Sequence, residues 1–471
     1  MLFPTPSFAL FFLAVFALGW GVFSGRTSWR YFMLFASYAF YGLFGLQSLG
    51  ILVAISLVGW AASVAIGAIG PRRPWSRFVL ILALAVDVGA LVYFKLGGPL
   101  QIAAERVMGV VGASPVLEIT QIVMPVGLSY LMFRMISSVV DVYRGDAIAP
   151  SLIDFALYSA FFPYIASGPI VRLNEVVGQW VDRHPANRVR STQGFALIAT
   201  GLVKKMLVAD YLARVAVDNV FETPAAYGSA DVVSAVLAYS AQIYCDFSGY
   251  VDMAIGVALL LGIVLPPNFE APYTAKSLRE FWRRWHMTLS RFLRDYIYIP
   301  LGGSRRGLGR HVFAIMATMV IAGVWHGTGW TFVLWGAAHG IVQVGEALAR
   351  KNRPRVEAAG VVRSALTWGL TFGFVTLAWI PFRADSLATA WDVFSGMFTR
   401  WSVSPTLPPA VWLLSLLVVA VQFVPASARQ LIKDTFWSRS VITQAAGLSA
   451  VLYAVAVIAP EGPTAFIYGG F

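Results

Sequence analysis

The chain has 471 residues, of which 58% are hydrophobic, 14% aromatic and only 12% charged. A soluble domain carries about a quarter charged residues, so this composition excludes one. Apolar stretches of bilayer length recur from end to end and define a polytopic membrane protein, all-α in class. The formal net charge is +12, but the bases cluster in short loops between apolar runs. There they set topology and meet anionic headgroups, and no aromatic-interleaved basic groove points to nucleic acid.

The first apolar run, Ser7 to Phe23, lacks the basic n-region of a signal peptide and is followed by Arg26 and Arg30. It reads as a retained membrane helix with its N-terminus outside and those arginines in the cytoplasm. Further spans are expected at 30–45, 48–69, 77–95, 119–139, 152–171, 193–220, 229–264, 311–349, 361–381, 409–425 and 440–459. The 229–264 and 311–349 blocks exceed the roughly 20 residues a span needs. Each therefore reads as a tilted helix, a broken helix or a hairpin, for about ten to fourteen elements in all. Arg72, Arg73 and Arg77 fit a cytoplasmic loop, as do the runs GGSRRGLGRH (302–311) and ARKNRPR (349–355). The longest polar region, about 172–192, reads as a loop. No internal repeat or low-complexity segment is visible, and one membrane-embedded domain over 1–471 is expected.

Within the 229–264 block lies AQIYCDFSGYVDMAIG, 241–256, which places Gln242, Asp246, Ser248 and Asp252 at membrane depth. Carboxylates there imply pairing or a water-filled lumen. Asp246 can partner an arginine or orient a histidine, and the plainer reading is a structural ion pair. Cys245 is the sole cysteine, which rules out an intramolecular disulfide and a CxxC metal site. It reads as a small buried hydrophobe rather than a nucleophile.

The stretch FWRRWHMTLSRFLRDYIYIPLGG, 281–303, sets four arginines and a histidine in a chain otherwise close to oil. As one helix over 279–296, it puts Arg279, Arg283, His286, Ser290 and Arg294 on one stripe. Phe281, Trp285, Leu289, Phe292 and Tyr296 then fall opposite, the pattern of a helix lying along an interface. A basic helix that only anchors to anionic lipid explains the periodicity. His286 strains that reading, because anchoring has no use for an imidazole whose arginine neighbours push its pKa down and keep it neutral.

A second histidine follows in MATMVIAGVWHGTGWTFVLWGAAHG, 316–340. His326 sits mid-run between Trp325 and Gly327, where an ionisable group faces a cavity or a pathway, or hydrogen-bonds a neighbouring helix. Gly323, Gly327 and Gly329 permit close backbone approach or a break. His339 reads as a packing residue, and His184 and His311 as solvated loop residues. No Walker loop, dinucleotide fingerprint, HExxH or GxSxG is present. No carboxylate or cysteine spacing supports a metal, and no metal or bound cofactor is expected.

PVGLSYLMFRMISSVVDVYRG (125–145), FFPYIASGPIVR (161–172) and QIYCDFSGYVDMAIG (242–256), with the FWRRWH and WHG stretches, resemble the membrane-bound O-acyltransferase family along essentially the whole chain. The resemblance is to its bacterial branch of alginate O-acetylation and teichoic-acid D-alanyl transfer proteins. IPLGGSRRG and LAWIPFRA (377–384) resemble the polysaccharide-acetylating group, from which the C-terminal AFIYGGF, Pro381 and Cys245 depart.

The resemblance implies a ring of helices around a thinned centre, with cytoplasmic and external funnels and the FWRRWH helix lining the cytoplasmic entry. It implies a catalytic role for His326, the WHG histidine, and importance for His286. On that basis the expected chemistry is acyl transfer from a cytoplasmic thioester, acetyl-CoA, toward an extracytoplasmic polysaccharide through a periplasmic transferase. The expected setting is the bacterial inner membrane. Arg283 is expected to attract the donor's phosphates, with Ser290 and Asp246 as further substrate contacts and Trp325 excluding water; His286 positions the donor or relays a proton. Rival readings are D-alanyl or fatty-acyl transfer, a transporter or channel exporting an acylated intermediate, and a secretion scaffold.

Overall fold

The computed structural model describes residues 3–111, 124–184, 187–351, 360–459, 464, 466 and 467. The start of the 119–139 span, part of the ARKNRPR loop and most of AFIYGGF lie outside the described residues. All regular structure among the described residues is helical. Seven helices are long and apolar enough to cross a membrane, and the pair Pro409–Gln422 and Ala426–Phe436, bent by 95°, makes an eighth if counted as one span.

The remaining expected spans are built from shorter pieces, each for a local reason. Pro6–Gly21 has 16 residues, about 24 Å of helix. In 152–171 only Leu152–Ala160 is helical, and a buried irregular stretch containing Pro163 and Pro169 follows it. In 193–220 the α-helix Arg188–Leu202 passes into a π-helical stretch, Val203–Ala209. The two long blocks resolve differently. Ser229–Leu260 is a single 32-residue helix, whereas 311–349 is a hairpin of Leu308–His326 and Trp330–Lys351.

By its internal contacts the chain divides into two compact units. The described part of the first lies within residues 3–184 and Leu261–Leu265. It buries Arg134 completely among tyrosines: the guanidinium lies 5.1 Å from the Tyr164 ring centre and Nη2 donates to the Ser159 carbonyl at 3.2 Å. Arg30 pairs with Asp154 at 3.1 Å, and Asp154 sits in the first turn of a helix capped by Ser151.

The second unit comprises Ala186–Leu260 and Pro266–Tyr468. Its centre is the Ser229–Leu260 helix, which is buried along most of its length. Glycine lets the Arg188–Leu202 helix approach it. A Cβ on Gly256 would meet the Gly194 carbonyl at 2.6 Å, and one on Gly249 the Gly201 carbonyl at 2.8 Å. Each helix therefore offers two glycines seven residues apart to the other, the small-residue contact that lets membrane helices pack backbone to backbone.

One helical turn further on, Lys205 is buried and bridges Asp246 at 2.6 Å and Asp210 at 2.8 Å. The same cluster holds the C-terminal segment. Lys205 donates to the Thr464 carbonyl at 3.0 Å, Thr464 N–H donates to Asp210 at 3.2 Å, and Ile467 N–H donates to Asp246 at 2.8 Å.

Candidate active site

The FWRRWH stretch is not one helix. Ser277 caps Leu278–Arg284 by accepting the Glu280 N–H at 3.1 Å, and a second helix runs over Met287–Leu293. His286 stands between them with φ 42° and ψ 53°, the left-handed region that residues with a Cβ rarely occupy. The irregular backbone at Asn268 and Glu270, beside the break, supplies bonds that a continuous helix would have made internally. Met287 N–H donates to the Asn268 carbonyl at 3.0 Å, Thr288 N–H to Asn268 Oδ1 at 3.0 Å, and Glu270 N–H to the Arg284 carbonyl at 2.9 Å. The continuous helix expected over 279–296 is corrected on this point: tertiary hydrogen bonding overrides helical periodicity at His286.

The two faces survive the break. Phe281, Trp285, Leu289 and Phe292 are buried. Arg279, Arg283, Ser290 and Arg294 do not merely lie along an interface, since they line a cavity of about 660 Å³. Arg291, Arg350 and His311 join them on its wall, and among the described residues no Asp or Glu lines it, although Arg294 pairs with Asp295 at 2.6 Å and Arg350 with Glu346 at 3.3 Å. Such a wall concentrates positive potential in a partly enclosed space and suits an anion carrying several charges. Its apolar side includes Trp282, Ile315 and Met319.

His286 is 1% exposed. Its Nδ1 lies 3.2 Å from Asn268 Oδ1, and the Phe247 ring meets it edge to face with centres 4.7 Å apart. Burial pushes its pKa down from the ordinary 6.5 to about 3, so the ring is neutral. The expected direction holds, but its cause is desolvation and not the neighbouring arginines. Met287 and Thr288, the next two residues, are on the cavity wall.

His326 is the last residue of the Leu308–His326 helix and is 2% exposed. The hairpin that presents it is held by glycine. A Cβ on Gly323 would meet the Phe332 carbonyl at 2.3 Å, and one on Gly336 the Met319 carbonyl at 2.4 Å. Trp325, Phe382 and Trp335 surround the imidazole at centre distances of 4.7, 5.1 and 5.3 Å. His326 is not on the cavity wall; the wall residue Trp282 packs on Trp335, which packs on His326. A chain of rings also runs from His286's neighbour Trp285 through Trp379 to Trp335.

The expected site residues thus fall in four places. Arg283 and Ser290 line the cavity, His326 and Trp325 form the aromatic nest behind it, and His286 lies at the helix break. Asp246 takes the structural role, in its pair with Lys205. His339 is buried between Trp282, Trp335 and Phe374, consistent with packing. Sequence reasoning missed Asn268, Trp335, Arg291, Arg350 and the cavity position of His311. Asn268 lies 18 residues before His286, and no periodicity links the two. Among the described residues no cluster of three or more His, Cys, Asp or Glu is placed to hold a metal ion.

A buried imidazole ringed by Trp325, Trp335 and Phe382 thus sits close to an arginine-lined cavity inside a helical chain with seven or eight membrane-length spans. Residues 128–384 match the model of MBOAT, the membrane-bound O-acyltransferase family. The chain is 36% identical over 432 residues to the protein named "Probable alginate O-acetylase" in Azotobacter vinelandii, covering 89% of this chain and 84% of that one. It is 33% identical over 429 residues to the peptidoglycan O-acetyltransferase of Helicobacter pylori, covering 84% and 80%. A shorter match, 28% over 242 residues, is to a teichoic acid D-alanyltransferase of Streptococcus thermophilus, covering 48% and 58%. The chain belongs to the membrane-bound O-acyltransferase family. It is a multi-pass membrane acyltransferase.

Proposed function

We propose that this protein moves an acetyl group from a cytoplasmic thioester, acetyl-CoA, across the bacterial inner membrane for O-acetylation of an extracytoplasmic polysaccharide. A periplasmic transferase is the proposed intermediary. The observation that carries the reading is the arginine-walled cavity whose wall residue Trp282 packs directly on Trp335, the ring that packs on His326. Relatives matched over most of their length are named for O-acetylation of alginate and peptidoglycan, whereas the match to a D-alanyltransferase covers half of this chain.

In this reading the CoA phosphates meet Arg279, Arg283, Arg291, Arg294 and Arg350, and Ser290 hydrogen-bonds the donor's polar arm. His326 takes the proton of the attacking hydroxyl as its oxygen bonds the acetyl carbon. The carbon–sulfur bond breaks, and the departing thiolate recovers the proton from the imidazolium. Trp325 and Trp335 keep water from the thioester, which holds hydrolysis below transfer. His286 positions the donor or relays the proton. The test is the purified full chain in proteoliposomes with acetyl-labelled acetyl-CoA inside and polysaccharide plus periplasmic transferase outside. Label on the polymer supports the reading. Label retained on CoA, with D-alanyl transfer from a carrier protein instead, overturns it.

A further inference from the structure

Asn268 makes more contacts to the His286 break than any cap needs. It lies in the connection between the Ser229–Leu260 and Leu278–Arg284 helices and is 1% exposed. Its side-chain oxygen receives the Thr288 N–H at 3.0 Å and the Thr288 hydroxyl at 2.9 Å, and faces His286 Nδ1 at 3.2 Å. Its carbonyl receives the Met287 N–H at 3.0 Å.

The orientation of an asparagine amide is normally a choice between two similar ends. Here a backbone N–H decides it. An amide N–H only donates, so the atom facing Thr288 N is oxygen, whatever the imidazole does. An oxygen opposite Nδ1 in turn demands a proton on Nδ1, and a neutral ring has only one proton on its nitrogens. Nε2 is then the basic nitrogen. The left-handed backbone of His286 is part of the same device, because it brings Nδ1 and the Thr288 amide to one acceptor.

We propose that Asn268 is a positioning residue that fixes His286 as its Nδ1–H tautomer, so that Nε2 is the nitrogen that accepts a proton or a hydrogen bond during acyl transfer. The role in turnover rests on the acyltransfer reading above; the tautomer does not.

The test uses the full chain in nanodiscs with nitrogen-15-labelled histidine, His286 being assigned by the signal lost in H286Q. Wild type is expected to show a protonated Nδ1 and an unprotonated Nε2. N268L, close in volume and without an acceptor, is expected to lose that preference and at least tenfold in kcat, with the donor KM within twofold. N268D keeps an acceptor for all three donors. It is expected to keep the Nδ1–H tautomer, to recover most of the kcat that N268L loses, and to raise the pH midpoint of the His286 signal. N268D carries the test alone if N268L does not fold. A wild-type ring protonated at Nε2, or an N268D ring whose tautomer and midpoint match wild type, overturns the proposal. So does N268L with unchanged kcat. A wild type that transfers no acetyl group but shows the Nδ1–H tautomer overturns the functional reading and leaves the tautomer assignment standing.

Discussion

Trp282 and Trp335 meet edge to face, their ring centres 5.8 Å apart and their planes at 77°. One ring forms part of the anion cavity's wall and the other packs on His326. Two indoles in contact thus link the cavity wall to the buried imidazole, and in the proposed function the acyl group passes along them. Trp282→Leu is expected to thin this barrier and admit water with the donor. Hydrolysis of acetyl-CoA should rise several-fold relative to transfer, read as free labelled acetate against labelled polymer. An unchanged ratio would remove Trp282 from the barrier.

Arg283 is exposed on the cavity wall rather than locked in a buried pair. Its loss should weaken donor binding with little effect on folding. One charge-assisted contact to a phosphate corresponds to roughly a tenfold rise in donor KM for Arg283→Gln, with kcat nearly unchanged. Added salt should narrow the gap between variant and wild type, because screening removes what the arginine contributes. Identical donor saturation curves would count against a phosphate role.

Two neighbouring lysines give contrasting stability predictions. Lys205 is buried between two carboxylates, and Lys205→Met leaves both without their cation. The expected cost is on the order of 3–5 kcal/mol. Lys204 pairs with the partly exposed Asp252, and breaking that pair with Asp252→Asn should cost about 1 kcal/mol or less. Thermal unfolding in detergent separates the two cases. Equal shifts would show that the buried cluster does not hold the C-terminal segment.

Neutral burial of His286 makes an acid-side prediction. Its pKa falls from 6.5 when unfolded to about 3 when folded. The unfolded chain therefore binds the extra proton first as pH drops. The stability tied to the neutral ring is complete above 6.5 and is lost as pH falls from there toward 3. His286→Gln, which does not titrate, should flatten that part of the stability–pH profile. A variant profile parallel to wild type would mean the ring is solvated.

The membrane class, the helical fold and both histidine-bearing stretches were legible because hydropathy and glycine content act locally. Gly323 and Gly327 bracket His326 in sequence and hold its hairpin in space. The break at His286 was not legible: helical periodicity predicts continuity there, and the bonds that interrupt it come from Asn268 and Glu270, outside the repeating pattern. Asp246 could be narrowed only to pairing or a lumen, because its partner Lys205 lies 41 positions away on another helix. Trp335 looked like one more apolar residue in a span. Only its contacts with both Trp282 and His326 mark it as part of the barrier.

The central claim is that the buried imidazole at position 326 performs the proton transfer of acyl exchange. The direct measurement is single-turnover acetyl transfer by His326→Ala in proteoliposomes, beside donor binding by the same preparation. Transfer should fall by about 10²- to 10⁴-fold while donor affinity and membrane insertion match wild type. Transfer at the wild-type rate would contradict the account.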